Sequence, residues 1–174
     1  MPQAYDFEIS ECEDNQLEDF LGNYTEEPKE AVKYGKRFDE LTKSLKELEE
    51  IGKECSRENW DGMNEPPLKQ ETIIKARLLL IKSADLPYEI PLPFLTSSSS
   101  GLIEIEWYKE KDHRFAIRLN DQGIFIYSGL FGPIKDLNGS EILDDIHGTS
   151  GFNGEIFPEV IKTNLSRLFE TQIN

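Results

Sequence analysis

Asp144-Asp145-Ile146-His147, followed by Gly148-Thr149-Ser150-Gly151-Phe152-Asn153-Gly154, sets two carboxylates, an imidazole and two hydroxyls in one short stretch. That chemistry would suit a small hydrolase or a ligand-binding domain, provided a general base finds a partner within hydrogen-bond reach inside a pocket. A metal site needs three or four converging ligands, and the other of the chain's 2 histidines, His113, stands at the start of a separate strand pattern. Neither a metal nor a cofactor is expected. The competing reading of the stretch is a polar loop joining two elements.

Other reactive groups read more plainly. Asp61, within Asn59-Trp60-Asp61-Gly62, stands without companions beside a glycine, as turn residues do. Cys12 and Cys55 match neither a metal-site spacing nor a disulfide framework and read as reduced thiols. The run Ser97 to Ser100 lacks the glycines and lysine of a phosphate loop, so it reads as a solvated loop. Glu104, Glu106, Arg118 and Tyr127 would share one exposed face of a β-meander, where arginine and aromatic residues suit an interface unless a helix covers them. No nucleotide loop, zinc pattern, nucleophile elbow or basic stripe is present in the sequence.

Charge points to a different kind of function. The 174 residues carry a formal net charge of −15 at pH 7, which opposes direct binding to nucleic acid or to an anionic membrane. Residues 1–27 hold 9 acids and no lysine or arginine, whereas the remainder sets 25 acids against 19 bases. Within that first segment Tyr5, Phe7, Ile9, Leu17, Phe20, Leu21 and Tyr24 interleave with the acids. One reading is a solvated tail whose apolar residues fold back on the domain. The other is a docking segment for a basic protein surface, with Tyr5, Phe7, Glu11, Glu13, Asp14, Glu18, Asp19 and Phe20 as its contacts.

The elements that must position these groups follow from periodicity. Residues 1–27 form the acidic segment, 28–57 a long amphipathic helix and 58–174 an α+β domain. Thr25, Glu26, Glu27 and Pro28 make a helix start, with a cap, acids at the positive end of the dipole and proline in the first turn. Ala31, Tyr34, Phe38, Leu41, Leu45, Leu48, Gly52 and Cys55 then recur at three- and four-residue spacing. That stripe would either pack on the chain's own sheet or pair with a second copy as a coiled coil. The prolines at 66 and 67 forbid helix until a second, strongly apolar helix over Leu68 to Ala84, which Asp85-Leu86-Pro87 ends.

Alternation then predicts strands over Leu102 to Tyr108, Arg114 to Asn120 and Ile124 to Leu130, with Asn120-Asp121-Gln122-Gly123 as a hairpin turn. Phe131-Gly132-Pro133 would break the third strand. Ser140 to Ile146 reads as a fourth strand or a short helix, and Pro158 to Thr171 as a closing helix with Val160, Ile161, Leu165, Leu168 and Phe169 inward. The expected fold is α+β, an antiparallel meander of three to four strands packed by two helices, with the long N-terminal helix in addition. No run approaches the roughly 18 apolar residues that span a bilayer, and the N-terminus lacks a signal-peptide pattern, so a soluble, cytoplasmic protein is expected.

Asn59-Trp60-Asp61-Gly62, Pro66, the Leu68 to Ala84 helix, the Pro87 to Pro93 connection and Gly101-Leu102-Ile103-Glu104-Ile105-Glu106-Trp107 together resemble a set of small, mostly uncharacterised bacterial proteins. The likeness covers about residues 58 to 130, departs at Met63-Asn64-Glu65, and implies a shared fold without an activity. In that setting Trp60 would plug the junction between the long helix and the domain, while Asn59 and Asp61 bond turn amides. The function expected is a non-enzymatic acidic interaction module that occupies a basic partner surface, as an antitoxin, immunity protein or inhibitor would. The alternatives are a homo-oligomer assembled through the long helix, and the small hydrolase or ligand-binding domain at Asp144, Asp145 and His147.

Overall fold

The structure, a computed structural model, describes residues 29–171. The chain divides into two units, Met1–Gly35 and Lys36–Asn174. Of the first, Lys29–Gly35 are described, as the opening turns of a helix. The second is an α+β unit. Its elements are α1 (Lys29–Glu54, from Lys36 onward), α2 (Gln70–Ser83), β1 (Phe94–Ser98), β2 (Leu102–Glu110), β3 (His113–Leu119), β4 (Ile124–Lys135), β5 (Glu141–Gly151) and α3 (Glu159–Phe169). The strands form one five-stranded antiparallel sheet in the order β1-β2-β3-β4-β5, so neighbours in sequence are neighbours in space.

Five strands replace the three to four expected, for reasons that are local. Phe94 to Ser98, which no sequence signal marks as a strand and whose last two residues are expected in the serine loop, pairs with β2 from Phe94↔Glu106 to Ser98↔Leu102 and buries Leu95 beside Ile105. The loop reading of the serines holds only past Ser98, where Ser100 and Gly101 take positive φ and reverse the chain. Phe131-Gly132-Pro133 does not break β4. The strand passes through it by a register shift between Leu130 and Pro133, with Gly132 in the left-handed region and the His113 ring packed against it. Gly148 to Gly151, expected as a loop, belong to β5, and the Ser140 to Ile146 stretch is strand from Glu141 onward rather than helix because β4 offers a full-length partner.

One face of the sheet is the core. Ile103, Ile105 and Trp107 of β2, Phe115, Ile117 and Leu119 of β3, and Phe125 of β4 are all fully buried there. Helices α2 and α3 lie against this face, contributing Ile73, Ala76, Leu79 and Leu80 from one and Ile161, Leu165 and Leu168 from the other. The stripe of α1 joins the same core through Leu48 and Cys55, with Leu41 and Leu45 partly buried, while Phe38 stays 68% exposed. Arg37 is 6% exposed and donates Nη1 to the Ile90 carbonyl at 2.7 Å and Nη2 to the Ser83 carbonyl at 2.9 Å.

The turns obey short-range chemistry. Asn120 Oδ1 accepts from the amides of Gln122 (3.0 Å) and Ile124 (2.9 Å), and Gly123 supplies the positive φ that closes the hairpin. A side chain at position 123 would run into the Phe152 carbonyl, so glycine is required there twice over. Asp136 repeats the device, accepting from Asn138 (2.9 Å) and Ser140 (2.7 Å) ahead of β5.

Lys69, just before α2, donates to Asp121 at 2.6 Å and ties that helix start to the β3–β4 turn. This hydrogen bond lowers the Asp121 pKa and raises that of Lys69. Because the folded Asp121 pKa is depressed, its stabilisation is present above the unfolded carboxyl pKa and is lost as pH falls through the folded value. For Lys69, raised in the folded state, the contribution is present below the unfolded amine pKa and fades as pH rises through the folded one. Urea denaturation should therefore find Asp121→Asn slightly weaker than the parent at neutral pH and indistinguishable from it in strong acid. The effect is small, as for exposed pairs generally.

Candidate interaction surface

The turn at Asn59 behaves as a junction. Asn59 Oδ1 accepts from the Asn64 amide (2.9 Å), Asp61 Oδ1 accepts from the Met63 amide (2.8 Å), and the Trp60 indole donates to the Pro66 carbonyl (3.3 Å). Trp60 is half-buried against the core rather than enclosed by it. Glu65, one of the residues that depart from the resemblance, accepts from the Ser100 amide at 2.6 Å and so holds the turn that leads into β2. Asp61 thus spends its carboxylate on the backbone.

Strand alternation decides the fate of the Asp144 to Gly154 stretch. Successive side chains of β5 point to opposite faces. Asp144 falls on the helix-covered face, where it pairs with Arg167 of α3, whose guanidinium also stacks over the Phe131 ring at 4.0 Å. Asp145 and His147 fall on the other face. The three residues of the hydrolase reading are therefore not brought together. His113 is separate again, its Nδ1 3.3 Å from the Lys111 carbonyl and 3.5 Å from Glu110.

No described helix covers the second face of the sheet. Register places its side chains in rows across the strands: Thr96, Glu104, Arg118, Ile126 and Thr149; then Phe94, Glu106, Ala116, Ser128 and His147; then Tyr108, Arg114, Leu130 and Asp145. Ala116 and Ser128 are small and sit mid-sheet, so the charged side chains around them wall a shallow trough of about 320 Å³. Glu104 and Arg118 pair at 2.6 Å across β2 and β3, and Arg114 lies 3.9 Å from Glu106. Tyr127 is absent from this face. It points into the core against Phe115 and Phe125, because it shares the parity of Phe125 on β4. A hollow of about 560 Å³ beside Gly123, Phe152 and Pro158 has no comparable gathering of charged groups.

Ser128 faces His147 across β4 and β5 and Asp145 lies two residues away, yet none of the three side chains makes a hydrogen bond or ion pair among the described residues. A serine nucleophile needs its base within hydrogen-bond reach and that base held by a third group. The Glu104–Arg118 and Glu106–Arg114 pairs are exposed, each worth at most about 1 kcal/mol, and so can exchange partners with an arriving surface at little cost. The cross-strand neighbours Ser128 and His147 escaped sequence reading because register, not spacing, brings them together. No group of three or more His, Cys, Asp or Glu able to hold a metal occurs among the described residues. Nor is any described helix long and apolar enough to cross a membrane.

Tyr5, Phe7, Glu11, Glu13, Asp14, Glu18, Asp19 and Phe20, the expected partner contacts, lie outside the described residues, as does Cys12. Cys55 is a buried free thiol whose carbonyl accepts from the Leu68 amide at 2.8 Å. Compared with protein-family models, with curated proteins and with solved structures, the chain matches none.

Proposed function

We propose that the protein is a non-enzymatic, acidic interaction module that occupies a basic surface of a protein partner, in the manner of an antitoxin, immunity protein or inhibitor. The observation that carries this reading is the partition of charge: 9 of the 15 net negative charges fall in residues 1–27, interleaved with large apolar residues. An acidic surface steers a basic partner at long range, and interleaved aromatics add short-range contact area. The uncovered sheet face, with exchangeable ion pairs and exposed Phe94, Tyr108 and Ile126, offers a second contact area on the folded unit. Self-association through α1 has less support. Leu41, Leu45, Leu48 and Cys55 of its stripe already pack into the core.

The test is capture from lysate on immobilised full chain and on residues 28–174, at about 50 mM and about 300 mM salt, across which the screening length falls by more than half. The full chain should retain basic proteins at low salt, and either removing residues 1–27 or raising salt should weaken that retention about tenfold or more. Retention indifferent to both changes would count against the proposal.

A further inference from the structure

We infer that β5 is a self-complementary edge, and that a second copy of this chain adds to it in antiparallel register about a two-fold axis through Ile146. The sheet order leaves β5 at one edge with no described strand beyond it, and at 11 residues it is more than twice the length of β1 at the other edge. An edge of that length presents a row of backbone donors and acceptors ready to pair.

The sequence of β5 selects the partner and the register. A two-fold axis perpendicular to the sheet keeps the core face of one copy beside the core face of the other, so the axis must pass through a residue rather than between two. The register that uses every residue of Glu141–Gly151 is centred on Ile146. That register also sets Asp145 of each copy opposite His147 of the other, twice, on the uncovered face. Neither side chain has a partner among the described residues of its own chain, although each has a charge or a ring nitrogen to offer. On the core face it brings the two partly buried Ile146 side chains together and places Asp144, already neutralised by Arg167, opposite a glycine, Gly148. Moving the axis by one residue toward the N-terminus would put the two Asp145 carboxylates face to face, and cross-strand like charges repel.

Beyond β3 the β4–β5 ribbon continues alone, and it exposes Ile134, Leu137, Ile142 and Leu143. In the same register Leu143 comes to lie opposite Thr149 of the second copy, next to the exposed Ile126 of that copy's β4. Pairing therefore shelters apolar surface that one copy alone leaves in water.

Sedimentation velocity of the full chain over roughly micromolar to several hundred micromolar, the range of weak specific association, supplies the test. A monomer–dimer equilibrium is expected, tightening as salt rises because two copies of net charge −15 repel. Asp145→Lys, which removes the carboxylate from both cross-strand pairs, should weaken it about tenfold. Adding His147→Asp to that variant should restore it, since each introduced ammonium then faces an introduced carboxylate across the two-fold axis; a merely unfolded variant would not recover. Amides of residues 141–151 should gain hydrogen-exchange protection with concentration. A monomer throughout the range overturns the inference, and so does a dimer that ignores Asp145→Lys but dissociates on Phe38→Asp. Binding of a basic partner weakens with salt where this association strengthens, so the two proposals fail separately.

Discussion

Trp107→Ala lowers the unfolding free energy by about 3–5 kcal/mol, a large part of the roughly 5–15 kcal/mol that holds a domain together. Trp107 is fully buried at the middle of the core face, with its ring centroid 6.2 Å from that of Phe115. Its removal leaves a cavity under α2 and α3, which both rest on β2 and β3 and cannot collapse independently. The midpoint of thermal unfolding should fall by roughly 10 °C. Trp107→Phe separates two causes. The indole Nε1 is buried and finds no acceptor among the described residues, so the phenyl ring removes an unsatisfied donor while giving up part of the volume. It should cost well under half as much as alanine in urea denaturation with an unchanged m value. Equal losses for the two would mean that the ring's outer half carries the packing.

Arg37→Ala costs about 3 kcal/mol, the loss of two charge-assisted hydrogen bonds from a buried guanidinium. Arg37 reaches both the last turn of α2 and the segment before β1, so one side chain fastens α1 to two places more than 45 residues further along the chain. Burial lowers its pKa from the ordinary value, opposed by Glu40 and Tyr88. The Ile90 carbonyl, itself in a fully buried residue, loses its donor in the variant. Arg37→Met keeps the apolar stem and removes the bonds. If the bonds dominate, methionine and alanine are about equally destabilising by urea denaturation, and Arg37→Lys, with a single ammonium for two diverging carbonyls, recovers less than half. A methionine variant as stable as the parent would assign the effect to packing alone.

Arg37 also shows where sequence reading stops. It lies one position before Phe38, in a run of Lys, Arg, Asp and Glu that has the composition of a solvated helix face, and Phe38 itself carries the apolar stripe. The structure reverses these roles, burying Arg37 and exposing Phe38. Periodicity assigns a face by composition, while the carbonyls that reward an arginine come from Ser83 and Ile90 and have no mark in the local sequence. Asn59, Asp61, Asn120 and Asp136 are the opposite case. Their acceptors serve amides within five residues, so composition alone suffices to read them as turns.

By itself the sequence determined an α+β unit, because alternation and helical spacing are backbone periods written residue by residue. It determined the hairpin at Asn120 to Gly123, the apolar second helix and the inward face of the last helix for the same reason. It determined the concentration of negative charge ahead of residue 28, which is a count. Tertiary structure decided that Phe131-Gly132-Pro133 is a bulge within a strand, since the β5 ladder spans it and His113 packs on Gly132. It decided that Tyr127 belongs to the core, that Asp144 turns from Asp145 and His147 toward Arg167, and that Glu104, Arg118, Ser128 and His147 share one uncovered face. The parities of Tyr127 and Asp144 follow only once β4 and β5 are known to run as strands through those positions, and the bulge and the shared face depend on which residue lies opposite which across a strand pair. Cross-strand register is set by long-range pairing and turn geometry, and a shift of one residue exchanges every inward side chain for an outward one.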